Sequence, residues 1–255
     1  MAFIPDRTYV PAATQDGAVV DAGLRSYMLR VYNWMSSGLL LTGAVAYGIA
    51  NTSLIQLFYQ QVATPRGIAV QPTILGYAAI FAPMAFVLVL SFGVNKLSRT
   101  ATQGLFWAFA AAMGASLANI FLIYTGSSIA RVFFISAGTF GAMSLWGYTT
   151  KRDLTGMGSF LMMGLFGIII ASLVNMFVAS SALQFGISIV GVLIFVGLTA
   201  YDTQRIKGDY VQYAYAEGSD AAAKRSVFDA LSLYLNFINL FMLLLQLFGN
   251  RNSNS

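Results

Sequence analysis

The sequence of 255 residues contains neither cysteine nor histidine, and charged residues make up only 9% of it. The absence of cysteine excludes disulfide bonds, thiolate nucleophiles and zinc–thiolate sites. The absence of histidine excludes imidazole bases, Ser–His hydrolytic triads and most transition-metal sites. A soluble domain carries about 25% charged residues, so the low charge indicates that most of this chain faces lipid or apolar neighbours.

Hydrophobic residues are correspondingly abundant, at 58% of the chain, and the mean hydropathy is +0.71. Seven apolar runs approach the roughly 20 residues that a helix needs to cross a bilayer. Within them, apolar and polar residues do not alternate as they do in a half-buried strand. Because open sheets cannot cross lipid, the sequence predicts an all-α membrane protein, a bundle of seven transmembrane helices. The predicted spans are Tyr32–Ala50, Leu75–Val94, Leu105–Tyr124, Val132–Tyr148, Phe160–Ala179, Leu183–Tyr201 and Phe228–Phe248.

The predicted organisation has three parts. Residues 1–24 are polar and contain no apolar core, so they do not form a signal peptide and are predicted to be a cytoplasmic N-terminal tail. Residues 25–250 form the transmembrane domain, and residues 251–255 form a short external C-terminal tail. The longest connection, Asp202–Ser226, is predicted to be a solvated cytoplasmic loop.

The fourteen Lys and Arg residues are divided unequally between the two sides of the predicted bundle. Eleven lie on the side of the N-terminal tail, and Arg66, Arg131 and Arg251 lie on the other. By the positive-inside rule, the N-terminus is predicted to be cytoplasmic and the C-terminus external. The same asymmetry accounts for the net charge of +5, so no nucleic-acid partner is expected.

Small residues recur every four positions on two of the predicted helices. Ala110, Gly114 and Ala118 do so on the third, and Ala137 and Gly141 on the fourth. This spacing is typical of membrane helices whose backbones approach closely, so we expect close helix contacts at both places.

Three residues near the ends of the last two spans are candidates for function. Asp202 ends the apolar run that starts at Leu183, and a carboxylate at the edge of a membrane span is costly enough to mark a functional site. Asp229 opens the last predicted span, and Asn236 lies seven residues inside it. Without histidine, carboxylates are the side chains expected to titrate in the mildly acidic range.

The last predicted span carries a polar stripe on an otherwise apolar helix. At about 100° per residue its polar side chains fall within an arc of about 100° and extend over about 25 Å, most of the bilayer core. Such a stripe is expected to face the bundle interior or water. It is typical both of hydrogen bonds that join helices and of a polar pathway, and both interpretations stay open. The stripe consists of Asp229, Ser232, Asn236, Asn239 and Gln246.

Three sequence segments carry a resemblance to a known family. They read Tyr-Asp-Thr-Gln-Arg-Ile-Lys at 201–207, Leu-Ser-Leu-Tyr-Leu-Asn-Phe-Ile-Asn-Leu-Phe at 231–241 and Arg-Val-Tyr-Asn-Trp-Met at 30–35. Together with the seven apolar runs, they resemble the bacterial branch of the Bax inhibitor-1 family. The resemblance covers nearly the whole chain from about Leu24.

The resemblance implies a multi-pass protein of the bacterial inner membrane that, in some members, is a pH-sensitive calcium leak. In those members two aspartates on the sixth and seventh helices share hydrogen bonds, and their protonation controls a gate. Asp202 matches the first, but Asn236 stands where the family has the second, so the pair has one titratable group fewer. Asp229, two turns away on the same face, is the remaining candidate sensor. The family's basic latch residue matches Lys96, which lacks the bidentate fork of the expected arginine.

Two functions follow from this resemblance. The first is a calcium leak gated near Asp202, in which Asp202 and Asn236 bind calcium weakly and transiently and no resident cofactor is needed. The second is a non-conducting regulator that binds a membrane-bound protease or another membrane protein, which the loss of one aspartate favours. An enzyme is not expected, because an intramembrane aspartyl protease needs two carboxylates that share a proton, and no Gly-x-Gly-Asp motif surrounds Asp229.

Overall fold

The computed structural model describes residues 12–64, 67–93 and 96–252 and is predominantly helical over them. Two short strands, β1 (Tyr59–Thr64) and β2 (Gly67–Pro72), form an antiparallel hairpin that pairs Tyr59 with Pro72. The helices are α1 (Ala12–Ala50), α2 (Ile55–Phe58), α3 (Ile74–Gly93), α4 (Arg99–Leu117), α5 (Ile120–Ile123), α6 (Gly126–Thr149), α7 (Thr155–Val178) and α8 (Ser181–Phe248).

Six segments of the described chain are long and apolar enough to cross a membrane, which agrees with the predicted all-α membrane fold. Helix α1 is not one of them, because Asn33, Ser36 and Ser37 make the start of its predicted span less apolar. The seventh span, Tyr32–Ala50, therefore stays a prediction. The six segments are Ile74–Gly93, Arg99–Ile123, Gly126–Thr149, Thr155–Val178, Ser181–Val211 and Ala221–Phe248.

Helix α8 folds back on itself although its backbone is helical from Ser181 to Phe248. Asn236 donates a hydrogen bond to Asp202, 34 residues earlier. A straight helix of that length would separate these residues by about 51 Å. The chain therefore reverses between two antiparallel limbs, which we call the first limb (Ser181–Val211) and the second limb (Ala221–Phe248).

The prediction of a solvated loop at Asp202–Ser226 is wrong, because the backbone is helical throughout this segment. The segment contains no proline and is rich in alanine and other residues that favour helix. Each limb also continues to bury side chains here, among them Ile206 in the first limb and Val227 in the second. Burial of these apolar faces stabilises helix beyond the apolar runs themselves.

The predicted N-terminal tail lies only partly within the described residues. Its Asp6 and Arg7 lie outside them, as do Val94 at the end of a predicted span, Arg66 and residues 253–255. From Ala12 onward the tail belongs to α1. Near its end Leu24 is already buried in the core, so the packed domain begins inside the predicted tail.

The second limb of α8 lies at the centre of the bundle. Its side chains at Leu233, Tyr234, Leu240 and Leu245 are completely buried. Helices α1, α4, α6 and α7 pack against α8, and α3 packs against α4 at the periphery. The polar stripe therefore lies on the helix that packs against most of the other long helices.

Of the two close helix contacts predicted from the spacing of small residues, the one at Gly114 is confirmed and the one at Gly141 is not. At Gly114 a Cβ atom would lie 2.7 Å from the carbonyl oxygen of Thr42, so α4 approaches the backbone of α1 as predicted. At Gly141 the prediction is wrong, because a Cβ atom would meet nothing within 4 Å. The close approach of α6 is instead at Gly147, which lies against the backbone of Ala200.

Candidate functional site

The structure brings Asp202 and Asn236 into direct contact across the two limbs of α8. The Nδ2 atom of Asn236 donates a hydrogen bond of 2.7 Å to Oδ2 of Asp202. Asn236 is buried, and the Asp202 side chain is 15% exposed. An amide that donates to a carboxylate forms a charge-assisted hydrogen bond, so this contact depends on the charge of Asp202.

The other oxygen of Asp202 is held by Arg205, three residues further along the same limb. Both Nε and Nη2 of Arg205 donate to Oδ1, at 3.0 and 2.9 Å. Sequence reasoning missed this ion pair, although the spacing i, i+3 within the Tyr201–Lys207 motif is a recognised signal for one. With Arg205 and Asn236 in place, both oxygens of the carboxylate have donors.

Lys96 is not the partner of Asp202 in this arrangement. It lies in the turn between α3 and α4, where its side chain is exposed and its backbone N–H donates to Gly93. Within the described part of the chain, the cation that forms an ion pair with Asp202 is Arg205. The latch that the sequence assigns to Lys96 stays a prediction, and Arg205 is the cation in contact with the carboxylate.

Asp229 has a different partner from Asp202. Its Oδ2 atom accepts a 2.5 Å hydrogen bond from the hydroxyl of Tyr27 on α1, and the ring of Tyr27 packs 4.8 Å from that of Tyr210. Asp229 is not at the start of a helix, because the backbone of α8 is helical on its N-terminal side as well; that it opens the last membrane span stays a prediction. Arg205 lies within electrostatic range of Asp229 as well, so the two carboxylates are linked through one guanidinium rather than directly.

A cleft of about 790 Å³ extends from Asp202 between α7 and the two limbs of α8. Four of the five polar-stripe residues line it, whereas Asp229 does not. The wall contributed by α7 is almost entirely apolar, with residues such as Leu165 and Met176. The lining residues of the stripe are Ser232, Asn236, Asn239 and Gln246.

A hydrogen-bond network occupies the end of the cleft opposite Asp202. Oε1 of Gln246 accepts from Nε2 of Gln184 at 2.9 Å and from the hydroxyl of Ser188 at 3.1 Å. Gln184 in turn accepts from Nδ2 of Asn175 on α7 at 3.2 Å. Sequence reasoning missed Gln184 and Ser188, although both are polar residues within a predicted span. The network joins three helical segments, and its residues Gln184 and Gln246 are both exposed.

The oxygen atoms of the cleft can contact a cation only weakly. Within the described residues there is no group of three or more Asp and Glu side chains that could hold a metal ion. Calcium prefers six to eight oxygen ligands, and here one carboxylate is accompanied by amides and a hydroxyl. Between the two polar ends, Asn239 uses its amide to donate to Leu235 of its own helix at 2.9 Å, which leaves an amide oxygen in the middle of the cleft.

Comparison with known proteins gives consistent matches along nearly the whole chain. The family described as "Inhibitor of apoptosis-promoting Bax1" matches residues 24–253. The inner membrane protein YbhL of Escherichia coli is 47% identical over 232 residues, which cover 90% of this chain and 94% of that protein. An uncharacterized protein of Caulobacter vibrioides is 46% identical over 242 residues, 94% of both chains. Another from Rickettsia prowazekii is 45% identical over 247 residues, 96% and 98% of the two chains.

Proposed function

Because this chain belongs to the Bax inhibitor-1 family, we propose that it is a multi-pass inner-membrane protein that leaks calcium through the cleft of α8 under the control of Asp202. The observation that carries the proposal is the 2.7 Å contact between Asp202 and Asn236 at one end of a polar-lined cleft. The inner-membrane location is inferred from the name of the Escherichia coli relative, which is an inner membrane protein. The N-terminus is cytoplasmic and the C-terminus external, by the distribution of Lys and Arg.

The gate depends on the charge of a single carboxylate. Charged Asp202 accepts hydrogen bonds from Arg205 on its own limb and from Asn236 on the other, and the bond from Asn236 holds the two limbs of α8 together. Protonation removes the charge that makes both bonds strong and exposes an O–H donor to two groups that are themselves donors. The limbs then separate at this end, and the cleft opens to the water beyond Asp202.

The asparagine at position 236 sets how steeply the gate responds to pH. Two coupled carboxylates titrate as a pair over two steps, whereas Asp202 facing an amide is one titrating group. Asp229 does not supply the missing carboxylate at this contact, since it is bonded to Tyr27 instead. The leak is therefore expected to close gradually as the pH rises, with at most one proton taken up per molecule at the gate.

Calcium passes through the cleft without a resident site. One carboxylate with amide and hydroxyl neighbours binds a hard cation weakly, and weak binding allows an ion to leave as well as to enter. The proposal includes no bound cofactor and no catalytic activity, because among the described residues the partner of Asp202 on the second limb is the amide of Asn236, whereas an aspartyl protease needs a second carboxylate there.

A second function is suggested by the surface of α7. This helix leaves large apolar side chains such as Phe166 and Phe177 exposed. A non-conducting regulator that binds a membrane-bound protease or another membrane protein through α7 would have such a surface. Ion flux separates the two functions.

The test is calcium flux into liposomes that contain the purified full-length protein. The proposal predicts a flux that increases when the pH is lowered and that Asp202→Asn makes independent of pH. Asp153→Asn is the matched control, because hydrogen bonds from Thr155 lower the pKa of the exposed Asp153 carboxyl, which therefore stays charged in the working range. If vesicles that contain the wild-type protein take up no more calcium than empty vesicles at every pH, the protein is the non-conducting regulator.

A further inference from the structure

A second cavity, separate from the cleft of α8, lies between α1 and α6. Its volume is about 450 Å³, and we call it the α1–α6 groove. Its lining is almost entirely apolar along its length, whereas Arg25 stands at one end. The apolar residues include Leu29, Tyr32, Met35, Phe140 and Leu145.

The groove exists because α1 and α6 each pack against other helices rather than against one another. Helix α1 contacts α4 and α8, and α6 contacts α8. Gly141 lines the groove, and a Cβ atom built there would meet nothing within 4 Å. The glycine that the sequence pattern assigned to a close helix contact therefore keeps a groove open.

Positive charge is concentrated at one end of the groove. Arg25 is exposed there, beside Tyr148 on the opposite wall. Lys207 donates from Nζ to the carbonyl oxygen of Tyr148 at 3.0 Å and lies 4.9 Å from the centre of its ring. Exposed Lys151 and Arg152 follow directly after the end of α6. Carboxylates close in the sequence, Asp153 after Arg152 and Asp209 after Lys207, reduce the charge of this cluster, whereas Arg25 is the cation that lines the groove itself.

The dimensions of the groove correspond to one leaflet of a bilayer. Along α6 the groove extends from Tyr148, the end of the predicted fourth span, to Phe140, a rise of about 12 Å that lies within half of the roughly 30 Å hydrocarbon core. The charged end therefore lies at headgroup depth when the apolar length lies among acyl chains. Large exposed apolar residues such as Leu29 and Leu145 surround the opening, as expected for a surface that faces lipid.

We infer that the α1–α6 groove binds one phospholipid with a net negative headgroup, its acyl chain against Gly141 and its headgroup at Arg25. The apolar length selects an acyl chain, and the cationic end selects an anionic over a zwitterionic headgroup. Basic pockets between transmembrane helices bind anionic headgroups, with about 1 kcal/mol from each Lys or Arg near the membrane surface. This site does not depend on the proposed leak, since it shares no lining residue with the cleft of α8.

The experiment is native mass spectrometry of the full-length protein in detergent, titrated with phosphatidylglycerol or with phosphatidylcholine of the same acyl chains. The wild type is expected to retain one phosphatidylglycerol and to bind phosphatidylcholine several-fold more weakly. Arg25→Gln should weaken phosphatidylglycerol binding about fivefold, the loss of one headgroup cation. Gly141→Leu should abolish retention of the lipid, because leucine fills the groove without contacting another helix.

Matched controls exist for both variants. Gly138→Leu places the same side chain in open space on the same helix outside the groove, and Arg30→Gln removes an exposed cation of α1 that does not line it. Both controls should bind phosphatidylglycerol as the wild type does. The site would be overturned if all four variants bound phosphatidylglycerol equally, or if the controls lost as much binding as Arg25→Gln and Gly141→Leu. It would also be overturned if the wild type showed no preference for phosphatidylglycerol over phosphatidylcholine. Because Arg25 is exposed, Arg25→Gln keeps the test valid if Gly141→Leu fails to fold.

Discussion

The hydroxyl of Tyr27 on α1 donates a 2.5 Å hydrogen bond to the carboxylate of Asp229 in the second limb of α8. The two residues are 202 positions apart in the chain, and their bond joins the first helix to the last. Tyr27 is almost completely buried. Asp229 therefore has a structural partner on α1, whereas Asp202 has its partners within α8.

Removing the hydroxyl of Tyr27 should destabilise the bundle. Tyr27→Phe leaves a half-buried carboxylate without its donor, which costs about 1–3 kcal/mol, and the thermal midpoint in detergent should fall. Asp229→Asn should have a smaller effect, since an amide oxygen still accepts the bond. Tyr47→Phe is the control, because Tyr47 is an exposed tyrosine of the same helix. Equal midpoints for Tyr27→Phe and Tyr47→Phe would show that the Asp229 bond does not stabilise the fold.

Introducing a carboxylate at position 236 should make the pH response steeper. In Asn236→Asp the new carboxylate lies at hydrogen-bond distance from Asp202, and two such groups share a proton and titrate as a coupled pair. The measurement is the pH dependence of calcium flux or of a conformational probe, compared with wild type. Asn239→Asp is the control, because Asn239 lines the same cleft but bonds to its own helix. An unchanged slope in Asn236→Asp would show that position 236 does not act on Asp202.

The contact between α1 and α4 should tolerate no larger residue at Gly114. A Cβ atom there would lie 2.7 Å from a backbone oxygen of α1, and overpacking of this kind costs about 1–3 kcal/mol. Gly104→Ala on the same helix meets open space and should be neutral or stabilising by up to about 1 kcal/mol. Thermal unfolding of Gly114→Ala beside Gly104→Ala checks this, and equal midpoints would contradict the close approach.

The membrane orientation can be tested with topology reporters. A reporter fused after Ser255 should be external, and one inserted within residues 212–220 should be cytoplasmic, because eleven of the fourteen Lys and Arg residues lie on the side of the predicted bundle that carries the N-terminus. This arrangement requires α1 to cross the membrane as a seventh span. A cytoplasmic signal from the C-terminal reporter would show that α1 does not cross and that the six apolar segments are the only spans among the described residues.

The parts of this fold that the sequence predicts are those governed by local composition. The apolar runs predict the membrane helices from Ile74 onward because length and hydropathy alone decide them. The helical backbone between the two limbs of α8 could not be predicted in the same way, since 202–226 is polar enough to read as a loop yet remains helical through tertiary burial of residues such as Ile206.

The candidate site was predictable in part for a similar reason. Helical periodicity places Asn236, Asn239 and Gln246 on one face, and the cleft lies along that face. Which residues meet across helices depends on register and rotation, which periodicity does not determine. Consequently Tyr27 at Asp229 and Gln184 at Gln246 emerge only from the packed structure, whereas the pairing of Arg205 with Asp202 follows from their i, i+3 spacing.

The most direct test of the account is the pH dependence of calcium flux in liposomes, from about pH 4, near which an aspartate ordinarily titrates, to about pH 8, for wild type and Asp202→Asn. The asparagine has nearly the same shape as a protonated aspartate but cannot titrate, so it cannot hold the charge-assisted bonds to Arg205 and Asn236. The account predicts that wild-type flux rises as the pH falls, whereas Asp202→Asn conducts at the level of the acid state at every pH. The same pH dependence in both proteins would contradict the assignment of Asp202 as the gate.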